Sequence, residues 1–305
     1  HGRQRHGAIL LRCSAMAASQ EAKAQELLVK AEKRLNSWTN FLSGENKYDA
    51  AAEMYSKAAN LFKVSKNWSE AGKAFEQVAQ CHIKLKSAHE AATAYQDAAN
   101  CYKKVDSSHA VLVYKEAVAI QIDLGRFTTA AKLQKEIADL CESDGDTAGA
   151  MDAYQQAADW YQAEESTSAA NACLLKVAGF AASTADYKRA IEIYEQVAMV
   201  SLESTLLKWS VKDYLLRAGI CHLATGEIGD AVRAVERYCN MDASFATTRE
   251  GDFLKSITAA YENLDDDAFT DHVREYDEIS RLDPQKTTLL LEVKNSMKSQ
   301  MNDLT

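Results

Sequence analysis

The chain has 305 residues, 47% of them hydrophobic and 26% charged, with a formal net charge of −9. That balance supports a folded core under a charged exterior and excludes a disordered chain, while the negative charge argues against non-specific binding to nucleic-acid phosphates. With one proline, Pro284, and 12 glycines, few residues interrupt helices, and no apolar run approaches the ~20 residues needed to span a bilayer.

Residues 1–15, HGRQRHGAILLRCSA, are basic and precede Met16-Ala17-Ala18-Ser19, which reads as a natural start. Their apolar stretch, Ala8 to Leu11, is too short for a secretory signal. We read residues 1–15 as a non-native or disordered leader, from an upstream or vector segment rather than a transit peptide, and leave them out of the fold.

From there a repeat of about twenty residues organises the chain. Large residues recur at Tyr55, Phe75, Tyr95, Tyr114, Leu133, Tyr154, Leu174 and Tyr194, at spacings of 19 to 21. An alanine lies four residues earlier in all but the Leu133 unit: Ala51, Ala71, Ala91, Ala110, Ala150, Ala170 and Ala190. Small or β-branched pairs follow three and four residues later, among them Ala58-Ala59, Ala98-Ala99 and Val177-Ala178. Offsets of −4, 0, +3 and +4 define one face of an α-helix. A large ring between alanines lets helices approach closely, and one such helix cannot bury its stripe alone, so the units must stack. Polar breaks such as Ser65-Lys66-Asn67 and Ser143-Asp144-Gly145-Asp146 separate them, and Gly125 and Gly226 follow helical runs where a left-handed cap favours glycine. Paired helices give hairpins of about forty residues, longer than the 34 of a tetratricopeptide repeat but with the same alanine–aromatic logic.

Past Leu206 the repeat loosens. Segments 209–224, 227–240, 250–263, 267–282 and 286–301 still read as amphipathic helices. Residues 221–280 hold 14 Asp or Glu against 5 Lys or Arg, so this segment alone equals the net charge of the chain. The expected fold is all-α: a tetratricopeptide-like, right-handed superhelical array of antiparallel helix hairpins over residues 16–206. A helical bundle with a flexible acidic-type tail, residues 207–305, caps its end.

Chemistry is harder to find. None of the seven cysteines forms a C-x-x-C pair, and they read as reduced, buried thiols. Adjacent pairs such as Cys81-His82 point about 100° apart on a helix and make no two-ligand face, so we expect no metal. Phosphate-cradling, nucleophile-elbow, zincin and dinucleotide motifs are missing from the sequence. Carboxylate pairs such as Glu164-Glu165 read as solvated surface charge. We expect no catalytic residues and no cofactor.

Several strings resemble the soluble NSF attachment proteins, of the alpha type: Lys66-Asn67-Trp68-Ser69-Glu70-Ala71-Gly72, Asp123-Leu124-Gly125-Arg126-Phe127, and Glu164-Glu165-Ser166. Residues 170–178 (ANACLLKVA), 276–283 (YDEISRLD) and 287–291 (TTLLL) continue the likeness, which runs in order from Ala22 to Thr305. The resemblance implies a cytoplasmic, peripherally membrane-associated adaptor that is not an enzyme. Several copies would surround a SNARE four-helix bundle, recruit the hexameric ATPase NSF and help it pull the bundle apart. We expect the free form to be monomeric.

Three sets of residues follow from the resemblance. Trp38, Phe41 and Leu42 match the family's membrane-touching loop, although its glycine-rich continuation is shortened here. At about 1.5–3 kcal/mol for each side chain fully buried, such a loop gives weak, reversible membrane contact; its plain alternative is packing on the first hairpin. Lys103, Lys104, Arg126, Lys132 and Lys176 match the basic SNARE-binding face, whose plain alternative is solubilising charge. Ala172 stands where the family commonly carries another lysine. Leu304 matches the penultimate leucine tied to ATPase stimulation, in a tail less acidic than usual, so Glu262, Asp265, Asp266 and Asp267 are expected to share the recruiting. Two other classes compete: a tetratricopeptide scaffold for extended peptides, and an α-helical prenyltransferase-like subunit, which needs a concave cluster of acids or metal ligands.

Overall fold

A computed structural model describes residues 2–36 and 46–303, with side chains for 16–36 and 46–301. Among the described residues every regular element is helical, with fourteen α-helices and short 3-10 turns at Lys208–Ser210 and Phe245–Thr247. The contacts divide the chain into two compact units, residues 1–165 and 166–305.

The first unit contains α1 (Gly2–Asn36), α2 (Lys47–Val64), α3 (Trp68–Lys84), α4 (Ala88–Tyr102), α5 (Ser107–Asp123), α6 (Phe127–Ser143) and α7 (Thr147–Ala163). Each packs on the next along the chain, the arrangement of a helical repeat array. The predicted stripe forms its core. Tyr55, Phe75, Tyr95, Tyr114, Leu133 and Tyr154 are all buried, and so are Ala51, Ala71, Ala91, Ala110 and Ala150. At the Leu133 unit Ala130 is fully buried and Thr129 only half-buried, so the alanine has moved one place along. Helices approach closely at Gly72, where an added Cβ would lie 2.6 Å from the Tyr102 ring. That ring is held by its hydroxyl, which donates to Glu76 at 2.5 Å.

Linking turns repeat as faithfully as the core. The last helical residue is followed by a C-cap, a left-handed residue and the next N-cap: Ser65-Lys66-Asn67, Leu85-Lys86-Ser87, Leu124-Gly125-Arg126 and Asp144-Gly145-Asp146. The left-handed residues have φ of 63°, 59°, 68° and 79°. Each turn closes with a six-to-one bond: Asn67 N–H to Phe62 O, Ser87 N–H to His82 O, Arg126 N–H to Gln121 O, Asp146 N–H to Cys141 O, all 2.8–2.9 Å. This pairing satisfies the carbonyls that a helix end otherwise leaves orphaned.

The second unit contains α8 (Thr167–Ser183), α9 (Tyr187–Leu202), α10 (Val211–Ala224), α11 (Ile228–Met241), α12 (Arg249–Glu262), α13 (Asp266–Ile279) and α14 (Pro284–Asp303). α8 and α9 continue the repeat with Leu174 and Tyr194 buried. α10 is the hub, packing on α9, α11, α12 and α14, with Leu215, Leu216, Ile220, Cys221 and Leu223 wholly buried. The five predicted C-terminal helices all form, with ends displaced by up to three residues. α10 begins at Val211 because residues 208–210 take a 3-10 turn. α13 stops at Ile279 rather than 282: Ser280 takes extended backbone, and Leu282 N–H bonds the Asp277 side chain at 2.7 Å instead of a helical carbonyl.

Candidate functional site

The basic candidates of the first unit come from α4 and α6. Lys103 is the C-cap of α4, where an ammonium suits the carbonyl end of the helix. Its Nζ lies 2.5 Å from Glu136 Oε2 on α6. Lys132 is exposed one helical turn before Glu136, so Lys103 and Lys132 share one face around that carboxylate. Lys104 lies over the Trp68 ring, 4.8 Å from its centroid. Arg126, the N-cap residue of α6, donates to His89 Nδ1 at 2.7 Å at the start of α4. Arg126 and Lys103 thus stand at opposite ends of the α4–α6 pair, on the order of 20 Å apart. The structure therefore brings Lys103 and Lys132 to one carboxylate on α6, turns Lys104 toward Trp68 of α3, and holds Arg126 against His89 at the start of α4. Lys176 is exposed on α8 of the second unit.

The face around Lys103 is mixed in sign. Lys135 pairs with Asp139 at 2.9 Å, and the Tyr154 hydroxyl donates to Asp139 at 2.5 Å and to Glu142 at 2.7 Å. Burial works to raise the Asp139 carboxyl, but the Tyr154 and Lys135 hydrogen bonds and the Lys135 and Lys103 charges outweigh it and hold it below the usual range. Glu136 and Trp68 are the neighbours that sequence reasoning missed. Glu136 was legible only as a charge one turn beyond Lys132, and nothing in the sequence linked it to Lys103.

The acidic candidates lie where α12 turns into α13. Asp265 is the N-cap of α13, its side chain accepting from Ala268 N–H at 2.9 Å. Asp266 sits between Lys294 and Lys298 of α14, at 3.4 and 3.5 Å. Asp265 thus caps its own helix, and Asp266 ties α13 to α14. Glu262, Asp265 and Asp267 are exposed around this turn and present negative charge outward. Trp38, Phe41, Leu42 and Leu304 lie outside the described residues. No described helix is long and apolar enough to cross a membrane.

The turn at Pro284-Gln285 is fixed by directed bonds. Gln285 Nε2 donates to the Gly179 carbonyl of α8 at 2.6 Å, and its Oε1 accepts from Arg217 Nη1 of α10 at 2.9 Å.

The family model for the soluble NSF attachment protein, SNAP, matches residues 22–298. The alpha-soluble NSF attachment protein of Homo sapiens is 43% identical over 292 residues, covering 94% of this chain and 99% of the relative. That of Dictyostelium discoideum is 46% identical over 280 residues, covering 91% and 96%. Among solved structures, a putative kinesin light chain from Podosopora anserina with TPR-like repeats aligns at 18% identity over 64% of this chain and 97% of its own, with a TM-score of 0.41. An all-helical, tetratricopeptide-like repeat with a buried alanine–aromatic stripe, matched over nearly its whole length, leads to one conclusion: the chain belongs to the soluble NSF attachment protein family.

Proposed function

We propose that the chain is a non-enzymatic adaptor that binds assembled SNARE four-helix bundles, recruits the hexameric ATPase NSF and stimulates SNARE disassembly in vesicle fusion and intracellular transport. The observation that carries this reading is the family match over residues 22–298. In it, residues 16–206 form the repeat array and residues 207–305 the bundle that closes it. Lys103, Lys104, Arg126, Lys132 and Lys176 meet the acidic surface of the SNARE bundle; complementary charge steers docking without demanding one sequence. Glu262, Asp265, Asp266 and Asp267 present charge to the ATPase, and Leu304 ends the tail that stimulates it. Trp38, Phe41 and Leu42 touch the membrane peripherally and raise the local concentration of adaptor at anchored bundles.

The test is the NSF ATPase rate on immobilised SNARE complexes with residues 16–305. The natural sequence is expected to stimulate, and Leu304→Ala to lose most of that stimulation while still binding the complexes. Equal stimulation by both proteins removes the role of Leu304; no binding by either removes the adaptor reading and favours a peptide-binding scaffold.

A further inference from the structure

The last helix is held by an unusual set of contacts at its first turn. Asp283 caps α14, its Oδ1 accepting from Lys286 N–H at 2.9 Å. Its Oδ2 accepts from Arg217 Nη2 at 2.6 Å and lies 3.2 Å from Lys286 Nζ. Arg217 Nε donates to Asp213 Oδ2 at 2.8 Å, and Lys286 Nζ reaches Asp213 Oδ1 to close the ring. Two cations and two anions therefore form a neutral circuit between α10 and the start of α14. Lys286 is only 7% exposed, while the side chains of Asp213 and Asp283 are 37% and 35% exposed, so the cations of the circuit are largely covered and its carboxylates keep one edge in water. Gln285 extends it from Arg217 to the Gly179 carbonyl, in a space that exists because residue 179 has no Cβ: one added there would lie 2.9 Å from Gln285 Nε2.

Such a circuit is a poor source of net stability. Covering the two cations and part of each carboxylate costs about as much as their pairing returns, and apolar replacements of similar volume are often neutral or stabilising. Its distinctive property is direction. The apolar contacts of α14, through Leu289, Leu290, Val293 and Met297, are non-directional and do not by themselves specify one register. A guanidinium that spends three separate N–H groups on Asp213, Asp283 and Gln285 does. The far half of the helix is anchored by other polar ties: Lys294 and Lys298 on Asp266, and Gln300 Nε2 on the Tyr261 hydroxyl at 3.1 Å.

We propose that the Asp213–Arg217–Asp283–Lys286 circuit is a positioning device: it fixes the placement of α14, and through it the place where the C-terminal residues and the Glu262–Asp267 face meet the ATPase. This rests on the adaptor reading above. The circuit's residues touch neither partner; they act through α14. Arg217 is the key member because it alone bridges Asp213, Asp283 and Gln285.

Two variants of the full chain test it. Arg217→Lys keeps the charge and loses the three-way fork. The quadruple variant Asp213→Leu, Arg217→Met, Asp283→Asn, Lys286→Met removes the charges, and the Asp283→Asn change in it retains a capping oxygen at the start of α14. Each is measured for thermal midpoint, binding to immobilised SNARE complexes, maximal NSF ATPase rate at saturating adaptor, and amide exchange of residues 289–297. The quadruple variant is expected to match the natural sequence in thermal midpoint and to bind complexes within two-fold. Both variants are expected to lower the maximal rate at least five-fold and to speed exchange in α14 at least ten-fold, with α10 unchanged. A rate within two-fold of the natural protein, unchanged exchange in α14, or a quadruple variant that unfolds early and loses binding each overturns the proposal. If the natural protein itself fails to stimulate, the adaptor reading falls, and the exchange measurement still decides whether the circuit fixes α14.

Discussion

Glu195 shows how much a single side chain of the second unit can carry. It accepts from the Tyr238 hydroxyl at 2.6 Å and from Arg237, with His222 Nε2 at 3.4 Å. Burial alone works to raise its carboxyl, but the hydrogen bonds from His222 and Tyr238 and the Arg237 charge hold it at about 2, against 4.5 when unperturbed. A carboxylate whose folded value is depressed contributes stability that is present above its unfolded value and disappears as pH falls through the folded one. The contribution of Glu195 is therefore complete above about pH 5 and fades between pH 4.5 and pH 2. Glu195→Gln is expected to cost on the order of 2–3 kcal/mol at pH 6 and far less at pH 2.5. Urea midpoints measured across that range check this; a difference that stays constant with pH refutes it. None of this was legible in the sequence, where Glu195 stands beside the repeat tyrosine Tyr194 as one more surface acid. Its donors His222 and Tyr238 arrive from helices 27 and 43 residues away. The same holds for Lys103 and Arg126, whose partners lie 33 and 37 residues distant.

Helices and turns were far more legible, because a helix writes its buried face into local spacing. Tyr114, Tyr154 and Tyr194 were read as core from periodicity alone, and none is more than 1% exposed. Turns were read from polar breaks, Ser65-Lys66-Asn67 among them, but their left-handed residue was read only where it is glycine. Gly125 and Gly226 were recognised, with φ of 68° and 83°, but the same left-handed position is filled by Lys66, Lys86, Ala185 and Leu264. These residues leave no signal because the six-to-one bond, not the side chain, imposes the conformation; Asp186 N–H bonds Ala181 O at 2.9 Å just as its glycine-containing counterparts do. An L residue there costs roughly 1 kcal/mol of backbone strain, partly offset by the lower chain entropy it has when unfolded. Ala185→Gly is expected to raise stability by about 0.5–1 kcal/mol, and Gly125→Ala to lower it by about 1 kcal/mol. Denaturant midpoints at constant slope measure both, and a destabilised Ala185→Gly means that φ of 61° there carries no strain.

At the scale of the molecule the decisive quantity is how charge is distributed. Residues 221–280 hold net charge equal to the whole chain's −9, so the remainder is neutral on balance and its basic residues stand out only locally. Each exposed cation pair contributes about 0–1 kcal/mol, so docking on an acidic bundle must come from several of them acting together. Lys132 on α6 and Lys176 on α8 are both exposed, and reversing both tests that sum with the least risk to the core. Lys132→Glu with Lys176→Glu is expected to weaken binding to immobilised SNARE complexes about ten-fold at ~0.1 M salt, the effect of about 1.4 kcal/mol. Between 0.1 M and 1 M salt the screening length falls from about 10 Å to about 3 Å, and the ten-fold gap should close to about two-fold or less. A gap that persists at high salt points instead to lost packing or a misfolded protein, and a thermal melt separates those two. No gap at any salt means that these lysines only keep the surface wet, and the basic face must then be sought around Lys103 and Lys104. There Glu136 already neutralises one charge, and a partner must displace it before that lysine can bind.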